Sequence, residues 1–289
     1  MLSSLNSGVA GLRNFQSKLD VIGNNIANSN TIAYKAARAN FADTFSQTLQ
    51  GGSKAGGALQ VGTGVQTASI KNDFSRGSYQ NTGIESNLYI NGPDGFFIVK
   101  NADGEEFATR AGDFVVDKQG YLVTNDGLRV QGFTDQVATG GAMTTRGDIR
   151  IFDDPTTRPI APRVPGAKLT GFNIQADGRI RMKLDDGSEY ESGQVLLERF
   201  EDNNLLEKSG DNLYTNLRAA GPLGGDALTA VQPGTDGTGL LKSAALEMSN
   251  VDLAGEFADL ITTQRGFQAN ARIITTSDEM LQEVVNLKR

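Results

Sequence analysis

Two periodicities divide the chain. Near the start, Leu5, Leu12, Leu19 and Ile26 fall seven residues apart, with Leu2, Val9, Phe15 and Ile22 beside them on one helical stripe. This spacing predicts an amphipathic helix over residues 3 to 28, capped at its start by Ser3 or Ser4 and stopped by the Asn-rich stretch Asn24 to Asn30, because Asn tolerates the left-handed backbone of a helix end. Near the finish, Leu246, Leu253, Leu260, Phe267, Ile274 and Leu281 repeat the interval, with Phe257, Ala271 and Val285 four residues after a seam position. A helix from about Asn250 to Leu287 follows, roughly 55 Å long at 1.5 Å per residue. Ser249 and Asp252 read as a capping box, and Lys288 and Arg289 suit the helix dipole's negative end. The seam positions Gln16, Gly23, Asn250, Gln264 and Asp278 are not apolar, so a two-stranded coil of these helices alone is weak and their ordering is expected to accompany association.

Between these ends the period becomes two, in Asn87 to Asn91, Phe114 to Val116, Tyr121 to Val123, Ile180 to Leu184 and Val195 to Leu197. Asp-Gly pairs at 103–104, 126–127, 177–178 and 186–187 lie between such runs and supply the positive φ that tight hairpins need. The expected fold is α+β: amphipathic helices at both ends forming a coiled-coil-like inner domain, around a central, mostly antiparallel β-domain. Residues 1–30 and 245–289 form the helical part, 31–75 and 217–244 are Gly-, Ser-, Thr- and Ala-rich connectors, and 76–216 is the β-rich outer domain. Pro155, Pro159, Pro162 and Pro165 mark an irregular excursion within it.

Composition narrows the chemistry. A net charge of -7 and the lack of any dense Lys/Arg segment argue against a nucleic-acid partner. There is no Cys and no His, which removes disulfides, thiolate nucleophiles and the commonest general base and metal ligand. No cofactor and no metal site are expected. The pairs Asp153-Asp154 and Asp185-Asp186 read as solvated turn residues in preference to an acid and base, and Gly62-Thr63-Gly64-Val65 as a turn in preference to half of a dinucleotide fingerprint. No apolar run is long enough to cross a bilayer, so no membrane insertion is expected, and the first residues lack the pattern of a cleaved signal. Residues 1–35 carry three bases and one acid, and 245–289 four bases and seven acids, a weak electrostatic preference for pairing the two ends.

Ser7 to Leu12 and Leu19 to Asn28 with Thr31 and Lys35, then Glu247 to Leu253, Thr263 to Asn270 and Thr275 to Leu281, resemble stretches of the flagellar hook and basal-body rod family. Gly95-Phe96-Phe97, Thr109 to Phe114 and Gly120 to Val123 are similar to the family's β-domain. The family usually has Gly-Phe-Lys where this chain has Ala33-Tyr34-Lys35. The ending, and Leu128 to Phe133, look most like a hook protein, with the distal rod protein second, although 289 residues is closer to the rod.

The resemblance implies a non-enzymatic subunit of a tubular homopolymer, the flexible joint of the hook or the stiff shaft of the rod. It would lie in the hook or basal body, outside the cell membrane. Its implied partners are neighbouring axial proteins (rod, hook cap, hook-filament junction) and the flagellar type III export apparatus. The expected polymerisation interface is Leu5, Leu12, Leu19, Ile26, Leu253, Phe257, Leu260, Phe267, Ile274 and Leu281. Burying such seams at about 25 cal/mol per Å² is a large association term, partly offset by ordering entropy. An extracellular β-rich binding module or glycosidase is the competing reading, and would require a carboxylate pair facing a groove.

Overall fold

The computed structural model describes residues 2–50, 59–135, 141, 143–151, 169–185, 187–222 and 230–287. Its contacts divide the chain into two compact units: residues 1–29, 36–73 and 251–289, and residues 30–35 with 74–250.

The first unit holds both long helices, α1 (Leu2–Ala27) and α2 (Leu253–Leu287). Ser3 and Ser4, expected just before the helix, lie within the span of α1. α1 ends within the expected Asn-rich stretch, though without a left-handed Asn there: Asn28 donates its backbone N–H (3.1 Å) and its side-chain amide (2.9 Å) to the Asn24 carbonyl. At α2 the cap is Asp252, whose Oδ1 accepts from Ala254 N at 3.1 Å. Leu246, counted in the heptad series, belongs instead to a strand.

Residues 31–75, expected as a connector, carry four strands: β1 (Ala37–Asp43), β2 (Ser46–Gln50), β3 (Leu59–Gly62) and β4 (Val65–Asn72). β1 pairs with β4 and β2 with β3, both antiparallel, making a two-stranded ribbon that goes out and back. Gly62-Thr63-Gly64-Val65, expected as a turn, instead joins β3 to β4 along the returning arm: Gly64 takes φ +136°, while Thr44 N still donates to its carbonyl at 3.0 Å. The ribbon escapes a hydrophobicity scan because most side chains of β1 and β4, and Phe45 at 94 % exposure, are exposed.

The second unit is β-rich. In chain order it contains β5 (Tyr79–Asn81), β6 (Leu88–Asn91), β7 (Phe96–Lys100), β8 (Glu106–Thr109), β9 (Val115–Val116), β10 (Leu122–Val123), β11 (Arg129–Phe133) and β12 (Arg146–Asp148). Then come β13 (Leu169–Ile174), β14 (Arg179–Leu184), β15 (Glu189–Val195), β16 (Leu197–Glu198), β17 (Glu207–Gly210), β18 (Leu213–Thr215), β19 (Leu240–Ser243) and β20 (Ala245–Glu247). The main sheet runs β13-β14-β15-β11-β7-β8-β18-β17, and among the described residues every strand pair is antiparallel. Smaller ladders join β19 to β6 and β20 to β5. Gly104, Gly127, Gly178 and Gly187 all take positive φ, the conformation that the Asp-Gly pairs predict. Residues 217–244, the second expected connector, contribute β19. The Pro-rich excursion, Asp153, Asp154, Asp186, Lys288 and Arg289 lie outside the described residues.

One core joins Leu88, Phe97, Phe114, Leu122, Val130, Ile180 and Leu197, and a second joins Phe96, Ile98, Phe200, Leu206 and Tyr214. Beside them Glu198 is 2 % exposed, and among the described residues its Oε2 has no hydrogen-bond partner. Burial pushes this carboxyl up from 4.5 to about 7. Between those two values the unfolded chain has released the proton and the folded chain has not, so folding loses stability as pH rises and the loss levels off above about 7. Glu198→Gln is therefore expected to raise the melting temperature at pH 8 and to lose its advantage towards pH 4.5. The gain is at most about 3 kcal/mol, and paired melts across that range check it.

Candidate assembly site

Within the first unit the helices run antiparallel. A Cβ on Gly8 would lie 3.2 Å from Ile274 Cγ1, one on Gly11 2.7 Å from Asn270 Nδ2, and one on Gly266 2.8 Å from Phe15 Cζ. Asn25 Nδ2 donates to Glu256 Oε1 at 2.9 Å, and Lys18 Nζ lies 3.9 Å from Asp259 Oδ1. The ribbon covers another flank of α1, where Asn14 donates to the Val65 carbonyl at 2.7 Å and accepts from Thr67 Oγ1 at 2.7 Å.

Among the described residues Gly8, Gly11, Asn14, Ile22, Asn25 and Thr263 are the buried positions of the two helices. The glycines let the backbones approach. The Asn14 amide is satisfied by the ribbon and the Asn25 amide by Glu256 and the Ala37 carbonyl, whereas Thr263 Oγ1 has no hydrogen-bond partner among the described residues. The rows expected as the polymerisation interface are only partly covered within one chain. Leu5, Leu12, Leu19 and Ile26 are only half-buried, as are Leu260, Phe267, Ile274 and Leu281. Leu253 and Phe257 are exposed, at 42 % and 51 %. Past the reach of α1, the last turns of α2 leave Met280, Val284, Val285 and Leu287 uncovered as well. A single copy therefore covers the polar stripe of its helices and leaves much of the apolar one open.

A second feature lies in the β-rich unit and was not singled out from the sequence. Lys35, Arg110 and Glu247 are each 1 % exposed. Glu247 Oε1 accepts from Lys35 Nζ at 2.8 Å and from Gly77 N at 2.9 Å, while Oε2 accepts from Arg110 Nε at 3.1 Å. The Arg110 guanidinium also donates to the carbonyls of Gly92 and Gly95, and Lys35 Nζ to that of Ser75 at 2.8 Å. Three separate family-like stretches supply these three charges, which is the one signal that could have flagged them. Just before Lys35, Ala33 holds φ +55° and donates its N–H to the Glu247 carbonyl at 2.8 Å. Here the family's glycine is replaced, yet the backbone keeps the glycine-like conformation, at a cost of roughly 1 kcal/mol.

Among the described residues no group of three or more acidic side chains is placed to hold a metal ion. No helix among them is long and apolar enough to cross a membrane.

Two chain-terminal helices paired with each other, with an antiparallel β-unit between them in sequence, define a helix-terminated structural subunit. Comparison with known proteins gives the family. Residues 5–35 match the family described as flagella basal body rod protein, 89–182 the flagellar hook protein FlgE/F/G D1 domain, and 242–287 the flagellar basal body rod FlgEFG protein C-terminal. The flagellar basal-body rod protein FlgG of Bacillus subtilis (strain 168) is 43 % identical over 295 aligned positions, covering all of both chains. FlgG of Buchnera aphidicola subsp. Schizaphis graminum is 34 % identical over 298 positions, covering 99 % of this chain and all of that one. The flagellar hook protein FlgE of Borreliella burgdorferi is 28 % identical over 448 positions, again covering both chains fully. The chain belongs to the flagellar basal-body rod and hook protein family. It is a structural subunit of the flagellar axis, in rod or hook, and not an enzyme.

Proposed function

We propose that this chain is a distal rod subunit, polymerising with copies of itself and with neighbouring axial proteins through the open apolar rows of α1 and α2. The observation that carries the rod reading is the full-length match to the Bacillus rod protein at 43 % identity over 295 positions, against 289 residues here. The hook relative needs 448 aligned positions to accommodate the same chain. The hook, expected first from the ending motifs, gives way to the rod on that ground, since such motifs are shared across the family while overall length is not.

The interface reading is supported by helix geometry. At 100° per residue, the row Leu5, Leu12, Leu19, Ile26 sits roughly a fifth of a turn from the line facing α2, on the flank away from the ribbon. Leu260 and Phe267, with Leu253 and Phe257 beyond them, turn the same way from the line facing α1. In an antiparallel pair these rows flank one groove, and a helix of a second copy in that groove would complete a coiled-coil-like layer. The same proposal takes in export of the subunit through the flagellar type III apparatus.

Immunogold labelling of an epitope-tagged chain in isolated hook-basal bodies is the test. Gold on the shaft within the outer ring is expected. Gold on the curved segment beyond it would return the assignment to the hook.

A further inference from the structure

The chain passes between its two units four times, at 29–30, 35–36, 73–74 and 250–251. On the β-rich side every one of these exits lies within a few residues of the Glu247 cluster. Ala33 and Lys35 bond to Glu247 itself, by backbone and side chain respectively. Ser75 O accepts from Lys35 Nζ, and Gly77 N donates to Glu247 Oε1. At the last exit Asn250 N donates to the Tyr34 carbonyl at 3.4 Å and its side chain to Ser75 O at 3.2 Å, while Met248 N donates to Ser78 O at 2.8 Å.

The charges show what this arrangement is for. Two cations and one carboxylate, all out of water, are a poor way to gain stability, since desolvation offsets most of the attraction. Such a cluster does fix geometry, because displacing Glu247 strands two buried cations and displacing either cation breaks a charge-assisted bond that water does not replace there. Arg110 alone would neutralise Glu247. Lys35 is therefore surplus to charge balance, yet it is the residue at which the chain leaves for the ribbon.

We propose that the Glu247 cluster is a clamp holding the four chain exits of the β-rich unit together, with Lys35 as its positioning residue, so that load reaching this unit enters through one rigid point. The clamp itself is a property of the single chain. What load it bears rests on the axial-subunit reading.

The obvious variant, Glu247→Gln, leaves two buried cations and can fail by misfolding. Lys35→Met leaves the neutral Arg110–Glu247 pair and keeps the side chain's bulk. Hydrogen exchange on the full-length, unassembled chain is the measurement. In Lys35→Met, protection of the Ala33, Gly77 and Met248 amides is expected to fall at least tenfold, while the β7 and β11 amides of Val99 and Val130 stay within twofold of the parent. Unchanged protection at the three junction amides would show that the exits are held without the cluster, and overturn the clamp. An equal loss at junction and core would overturn it too, by making the cluster an ordinary part of unit stability. Neither outcome depends on whether the subunit belongs to rod or hook. Cells carrying only Lys35→Met provide the load arm: with axial structures counted normal by electron microscopy, swimming in a viscous medium is expected to fall at least twofold, and unaltered swimming would sink the load-bearing role.

Discussion

Replacing Glu247 by alanine lowers the melting temperature of the β-rich unit by roughly 10 °C. The carboxylate is 1 % exposed and is bonded to both Lys35 and Arg110, so its removal leaves two cations in a dry site and strands the Gly77 N–H. Breaking a buried pair from one side costs about 3–5 kcal/mol, and in a unit of this size each kcal/mol moves the midpoint by about 2–4 °C. A thermal melt at pH 7 against the parent measures it. Glu247→Gln belongs beside it, since the amide can still accept from Gly77 N but carries no charge. A fall below about 3 °C in both would mean that the cluster relaxes or takes in water, and that its charges are not confined.

Phe257→Asp abolishes assembly and leaves the isolated chain as stable as before. The ring is 51 % exposed in a single copy, where a change to a polar residue typically moves stability by less than about 0.5 kcal/mol. Should a second copy cover the ring, the same change buries an unpaired carboxylate, worth several kcal/mol at every contact along the polymer. Electron microscopy of axial structures, with a melt of the purified chain, separates the two effects. Wild-type assembly by this variant would remove the α2 row from the interface. Phe267→Asp is less clean, because Phe267 is half-buried against its own chain and both readouts move together.

Much of the architecture is legible without coordinates because its causes are local. Heptad spacing announces both helices, alternation announces β6, β10 and β14, and Asp-Gly pairs announce the hairpin turns, since each depends on side-chain period or on a backbone angle available to few residues. The ribbon of β1 to β4 was missed for an equally physical reason. A two-stranded element with most side chains in water needs no hydrophobic alternation, and Val65-Gln66-Thr67-Ala68-Ser69 shows none. The clamp leaves no local trace at all: its bonds join residues 212 and 137 positions apart.

The sequence by itself determined which segments are helical, where most strands turn, that the helices carry more apolar surface than one chain can hide, and that the protein belongs with the flagellar axial subunits. Tertiary structure alone decided which stripe each helix spends on its own partner. Gly8 and Gly11 take inner positions because they let the backbones approach, and Asn14 and Asn25 because the ribbon and Glu256 satisfy their amides within one copy, whereas Leu253 and Phe257 stay outside and the leucines half-covered. It also decided that Lys35, Arg110 and Glu247 meet, since only the folded β-rich unit excludes the water that would otherwise keep those charges apart.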